Sequence, residues 1–88
     1  MKITVRDALE RYARDGVPTG SFCRAVLENN LVEAFAKADQ ENMATLHGIV
    51  GYVYNNLPGN CWGSKEKVAA WLEKKAGERD AAKEEGKG

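Results

Sequence analysis

The chain has 88 residues and a mass of 9.7 kDa, enough for one domain at most, and its 13 basic and 13 acidic residues cancel. Non-specific nucleic-acid affinity comes mostly from neutralising phosphates, so a net charge of zero counts against a nucleic-acid partner. The two cysteines, Cys23 and Cys61, lack paired spacing and read as reduced thiols of a cytosolic setting, and the sequence shows no signal peptide, transmembrane run or basic amphipathic anchor.

The first helix begins near Thr4, which can cap it with Asp7 three residues on. Val5, Ala8, Leu9, Tyr12 and Ala13 then follow helical spacing and form a face to bury. On the far side Asp7–Arg11 and Glu10–Arg14 are acid-before-base pairs at i,i+4. Gly16 is placed to end the helix in a left-handed conformation, and Pro18 keeps Val17 out of helical geometry. Thr19 is the natural cap for a second helix over about Gly20 to Glu28, burying Phe22, Cys23, Val26 and Leu27. A third, Leu31 to Ala38, buries Leu31, Ala34, Phe35 and Ala38. On one wheel the two apolar faces point roughly 100° apart, so the chain breaks at Asn29-Asn30, where Asn30 and Glu33 repeat the capping pattern.

Asp39 caps a central helix over about residues 40–56. Met43, Leu46, Val50, Val53 and Leu57 form its apolar stripe, and beside it Ala44, Gly48, Gly51 and Asn55 form a strip with little bulk. Glycine inside a helix costs roughly 0.5–1 kcal/mol relative to alanine, and close packing against another helix is the expected compensation. Leu57-Pro58-Gly59-Asn60 is turn chemistry and Cys61-Trp62-Gly63 continues the loop. Ser64 caps a last helix with Val68, Trp71, Leu72 and Ala76 as its stripe, and Gly77 ends it. Residues 77–88 hold only Ala81 and Ala82 as apolar positions and read as a charged flexible tail. The expected fold is therefore all-α: one compact domain, residues 1–76, of four to five short helices around the central one. A core that small rarely supplies more than about 3–5 kcal/mol, which leaves a marginal monomer and a small homo-oligomer both open.

Chemistry-bearing residues are few. Cys23, Cys61 and His47 suggest a cysteine–histidine nucleophile, but Cys23 sits on an apolar face and His47 has no nearby orienting carboxylate. One histidine and two isolated cysteines lack zinc spacing, so no metal or other cofactor is expected. A helix–turn–helix at Gly16–Gly20 would offer Ser21 and Arg24 to a groove, with Glu28 repelling phosphate, and the last helix interleaves its lysines with Glu66 and Glu73. The Thr19-Gly20-Ser21 turn with Arg24 could hold a nucleotide-like anion at a helix N-terminus, between subunits of an oligomer. The leading candidate is a protein-binding patch of Tyr52 and Trp62 with Asn56 and Asn60 as its polar rim, since aromatic anchors dominate interface energies. Trp62 has a rival reading as a lid over the core.

Several segments resemble small helical proteins encoded in bacteriophage and prophage accessory regions. They are Ala8-Leu9-Glu10-Arg11-Tyr12, Gly16 to Phe22, Ala25 to Asn29, Glu33-Ala34-Phe35, Ala38-Asp39, Asn42, Tyr52 to Asn55, and Cys61 to Ser64. The likeness spans about residues 5–75 and carries no functional residues. It implies a phage context, in which a small protein in the bacterial host cytoplasm binds and redirects a host or phage protein, counter-defence included. The expectation is a non-catalytic interaction protein with an unidentified protein partner. A module sequestering an anionic small molecule is the first alternative and a nucleic-acid-binding regulator the second.

Overall fold

A computed structural model describes the backbone of residues 1–87 and the side chains of residues 1–79. It is all-helical, with six helices and no strand among the described residues: α1 (Ile3–Asp15), α2 (Ser21–Leu27), α3 (Leu31–Lys37), α4 (Gln40–Ala44), α5 (Leu46–Asn56) and α6 (Lys65–Lys87). No helix among the described residues is long and apolar enough to cross a membrane.

Helix α1 buries Val5, Leu9 and Tyr12 through the expected periodicity, but it starts earlier than Thr4 would set it. Lys2 occupies the cap position without a side-chain capping bond, so Thr4 lies inside the helix and caps nothing. The surface pairs also differ from those read in the sequence: Arg6 bonds Glu10 at 3.2 Å and Arg14 bonds Asp15 at 3.0 Å. Glu10 is drawn toward α5 because its Oε1 also accepts from the Tyr52 hydroxyl at 3.2 Å. Gly16 ends the helix as expected, at φ 69°, and its N–H donates to the Tyr12 carbonyl.

The cap of α2 is Gly20, not Thr19, and Phe22, Cys23, Ala25, Val26 and Leu27 are buried along it. The break before α3 falls where the change of phase places it. Asn29 takes φ 59°, and the Asn30 side chain accepts from the Glu33 N–H at 3.2 Å.

The central helix is interrupted. Asp39 caps it as expected, accepting from the Asn42 N–H at 2.7 Å, but Thr45 separates α4 from α5. The Thr45 hydroxyl donates to the Glu41 carbonyl at 2.9 Å, the back-bonding that bends helices. Val53 and Leu57 keep the places the stripe gives them, and Ile49 takes the place read for Val50. Ile49 and Val53 sit at the centre of the core, at 0 and 1 % exposure, with Leu57 buried below them. Leu46 and Met43 are half-buried, and Val50, placed in the stripe by the sequence, is exposed. The small-residue strip is no packing seam: Ala44, Gly48 and Asn55 are exposed, and a Cβ added at Gly48 or Gly51 would meet no atom within 4 Å.

Ser64 caps α6, accepting from the Lys67 N–H at 3.1 Å, and Val68 and Trp71 are buried with Leu72 and Ala76 beside them. Gly77 does not end this helix, which runs on to Lys87. The flexible tail read from the sequence falls mainly on residues 80–88, whose side chains lie outside those described.

Three elements meet at Tyr12. Its hydroxyl donates to the Cys61 carbonyl at 2.6 Å, and its own carbonyl accepts from the Trp71 indole at 3.0 Å. Burial pushes the Tyr12 phenol far above its ordinary range, so it remains a neutral donor. The approach of α6 is close enough that a Cβ at Gly16 would lie 2.1 Å from the Lys75 Cβ. The loop is tied on its other side, where the Gly63 N–H donates to the Leu27 carbonyl at 2.7 Å.

Candidate partner-binding groove

Helix α3 carries more apolar surface than the domain covers. At about 100° per residue, Ala34 and Ala38 share one side, Leu31, Phe35, Val32 and Ala36 sweep the next, and Glu33 and Lys37 take the rest. Ala34 is the one residue of α3 that is buried. Leu31, Val32 and Phe35 are 69, 76 and 61 % exposed, against the expectation that Leu31 and Phe35 would lie in the core. The two alanines let α3 lie close on the globule, and that leaves its larger side chains at the rim.

Beside this ridge runs a groove of about 130 Å³ between α3 and α5. Val26, Ala34 and Val53 belong to the core beneath it, while Leu46, Val50 and Trp62 line it from the α5 side and the loop. No residue lining it is charged; Asn29 and Asn30 supply its polar atoms on the α2–α3 turn. Trp62 is half-buried and combines the two roles that the sequence set as rivals. It packs against the core and also lines the groove. Tyr54, itself exposed, meets it edge-on at 6.0 Å and 67°. The Trp62 indole N–H is buried and has no hydrogen-bond partner.

The Tyr52–Trp62 patch is not one surface. Positions 52 and 54 on a helix lie about 200° apart, so Tyr52 faces away from the Tyr54–Trp62 pair. Its hydroxyl donates to Glu10, and the Arg6 guanidinium lies 5.9 Å above its ring. Burial, then the Glu10 carboxylate, raises its phenol above the usual value. Asn56 belongs to the same side. Its Nδ2 donates to the Tyr52 carbonyl at 3.0 Å, and both residues line a second, shallower concavity with Glu10, Arg14 and Pro58. Asn60 is exposed in the loop and lines neither concavity.

The anion-site candidates are not assembled. Gly20 is exposed and a Cβ added there would meet no atom within 4 Å, Arg24 is paired with Glu28 at 3.0 Å, and neither concavity includes Thr19, Gly20, Ser21 or Arg24. Helix α2 has seven residues, so its dipole is short. Cys23 and Cys61 are core residues whose thiols burial pushes up, the wrong direction for a nucleophile, and His47 is exposed. Among the described residues no cluster of His, Cys, Asp and Glu could hold a metal ion.

No family model, curated protein or solved structure matches this chain. The functional reading therefore rests on the groove. Sequence reasoning placed Leu31 and Val50 in the core and missed them as its walls. The signal was available in α3, where six of the eight residues from Leu31 to Ala38 are apolar, a wider arc than a rim helix can bury.

Proposed function

We propose that this chain is a small non-catalytic interaction protein that docks an apolar segment of another protein along the α3–α5 groove. The observation that carries the reading is an uncharged groove flanked by three large apolar side chains left exposed on one short helix. Trp62 and Tyr54 supply aromatic anchors at its edge, the residue types that dominate interface energies. The resemblance to phage accessory proteins sets the context: a host or phage protein as partner, bound in the bacterial cytoplasm and modulated by being covered.

Affinity capture from a bacterial lysate, compared across variants, tests this. Val50→Asp places a charge in the groove wall at an exposed position and should abolish capture, while Tyr52→Ala on the opposite side of α5 should leave it intact. Capture lost with Tyr52→Ala and kept with Val50→Asp would move the site to the α1 side and overturn the reading.

A further inference from the structure

We infer that the resident occupant of the α3–α5 groove is a second copy of this chain, with the Leu31–Val32–Phe35 ridge of each protomer seated in the groove of the other about a two-fold axis. The inference rests on the docking reading above and names the occupant. A heterologous partner would then have to displace the copy.

Three observations select a second copy. Ridge and groove adjoin on one face and share Leu31, which is both an exposed ridge residue and part of the groove lining. A two-fold operation brings each such pair onto its complement twice, which is how an isologous interface is built. The ridge also carries the i, i+4 spacing of a helix-in-groove ligand at Leu31 and Phe35, with Val32 beside them. The chain thus holds both halves of one recognition mode.

Charge supplies the third argument. Neither the groove lining nor the ridge carries a formal charge, and the whole chain has a net charge of zero. Two copies therefore approach without net repulsion and bury no unpaired ion. The chain's own C-terminal segment is the other occupant always at hand, and it fits badly. From Glu78 to Gly88 it is Glu-Arg-Asp-Ala-Ala-Lys-Glu-Glu-Gly-Lys-Gly, which would carry ions into an uncharged groove. A strongly basic or acidic target peptide meets the same objection. Self-association is also the usual supplement to a core this small.

Sedimentation velocity on the full chain, from low micromolar to sub-millimolar concentration, tests the proposal. The wild type should pass from 9.7 kDa to twice that mass as concentration rises. Phe35→Asp on the ridge and Val50→Asp in the groove should each weaken the dimer about 30-fold or more, with helical circular dichroism unchanged. Both side chains are exposed in the protomer, and Leu31→Ser provides a third variant should either aspartate disturb the fold. In a mixed-label sample, intermolecular NOEs should join the Phe35 ring of one protomer to the Leu46 and Val50 methyls of the other. A wild type that stays monomeric over the whole range overturns the inference. So does a dimer that all three variants leave intact, because it would use another face. The docking reading is decided separately: a monomer that captures a lysate protein, and loses it with Val50→Asp, removes the dimer and leaves the groove as a heterologous site.

Discussion

At Tyr12, α1, α6 and the Cys61 loop are joined by two buried hydrogen bonds, each from a side chain to a main-chain carbonyl. Helix α3 is held differently: Ala34 is its one buried residue, and its three largest apolar side chains stay exposed. Both regions are rich in apolar residues, so composition does not separate them. Directional bonds to fixed carbonyls specify one arrangement and tolerate little change around it. Contact through an alanine specifies only proximity, and it leaves the neighbouring bulk available to another molecule. If that contrast holds, substitutions near Tyr12 should be costly even when small, and substitutions on the α3 face should be cheap even when large.

The largest effect is expected at Gly16. An added Cβ would lie 2.1 Å from the Lys75 Cβ, and the residue sits at φ 69°, where an L side chain is disfavoured. Gly16→Ala must strain the turn and push α6 off the end of α1, breaking the Trp71 bond to the Tyr12 carbonyl. Strain and overpacking together should cost roughly 2–5 kcal/mol. Urea unfolding followed by circular dichroism measures it, and a loss below about 1 kcal/mol would show that α6 can shift freely.

Next comes Tyr12→Phe, which keeps the ring and deletes the hydroxyl. The Cys61 carbonyl would lose its 2.6 Å donor inside the core, at a cost of about 1–3 kcal/mol. The same variant should speed alkylation of Cys61, which is fully buried in the native protein, because its loop loses an anchor. Unchanged stability with unchanged alkylation would mean that the Gly63–Leu27 bond alone holds the loop.

Local structure is legible in the sequence where one residue decides the outcome. Gly16 takes the left-handed cap, Asn30, Asp39 and Ser64 cap their helices, and Asn29-Asn30 marks the break between α2 and α3. The helical class and most of the core follow from periodicity alone. What is not legible is the bend at Thr45 and which side of the stripe is covered. The stripe includes Val50 and omits Ile49, which lie about 60° and 40° from Val53 on the α5 wheel, so only packing decides between them. A threonine bonding back to a carbonyl four residues earlier has no composition signature. Tyr52 and Tyr54 lie about 200° apart on α5, and the loop brings the indole to the Tyr54 side. The groove is illegible for a further reason: it depends on which of several apolar faces the globule has room to cover, and that is settled only by the packing of all six helices.

A smaller effect, of opposite sign to that at Gly16, is expected at Gly48. A Cβ at Gly48 would meet no atom within 4 Å and the residue is exposed. Gly48→Ala should therefore stabilise the domain by about 0.5–1 kcal/mol through helix propensity alone. A destabilised variant would reinstate the small-residue strip as a contact surface.

The smallest effect falls where a large side chain would ordinarily matter most. Truncating a buried phenylalanine to alanine typically costs about 3–5 kcal/mol. Phe35 is 61 % exposed, so its ring has little transfer energy to lose within the protomer, and alanine is the better helix former. Phe35→Ala, measured at low micromolar protein where copies are apart, should leave the unfolding free energy within about 0.5 kcal/mol of wild type. The concentration matters, because binding that favours the folded state adds apparent stability. Repeating the unfolding at a roughly hundredfold higher concentration should stabilise the wild type and leave Phe35→Ala where it was. A loss above about 2 kcal/mol in the dilute sample would mean that Phe35 is packed within its own chain, and the contrast between the Tyr12 junction and the α3 face would collapse.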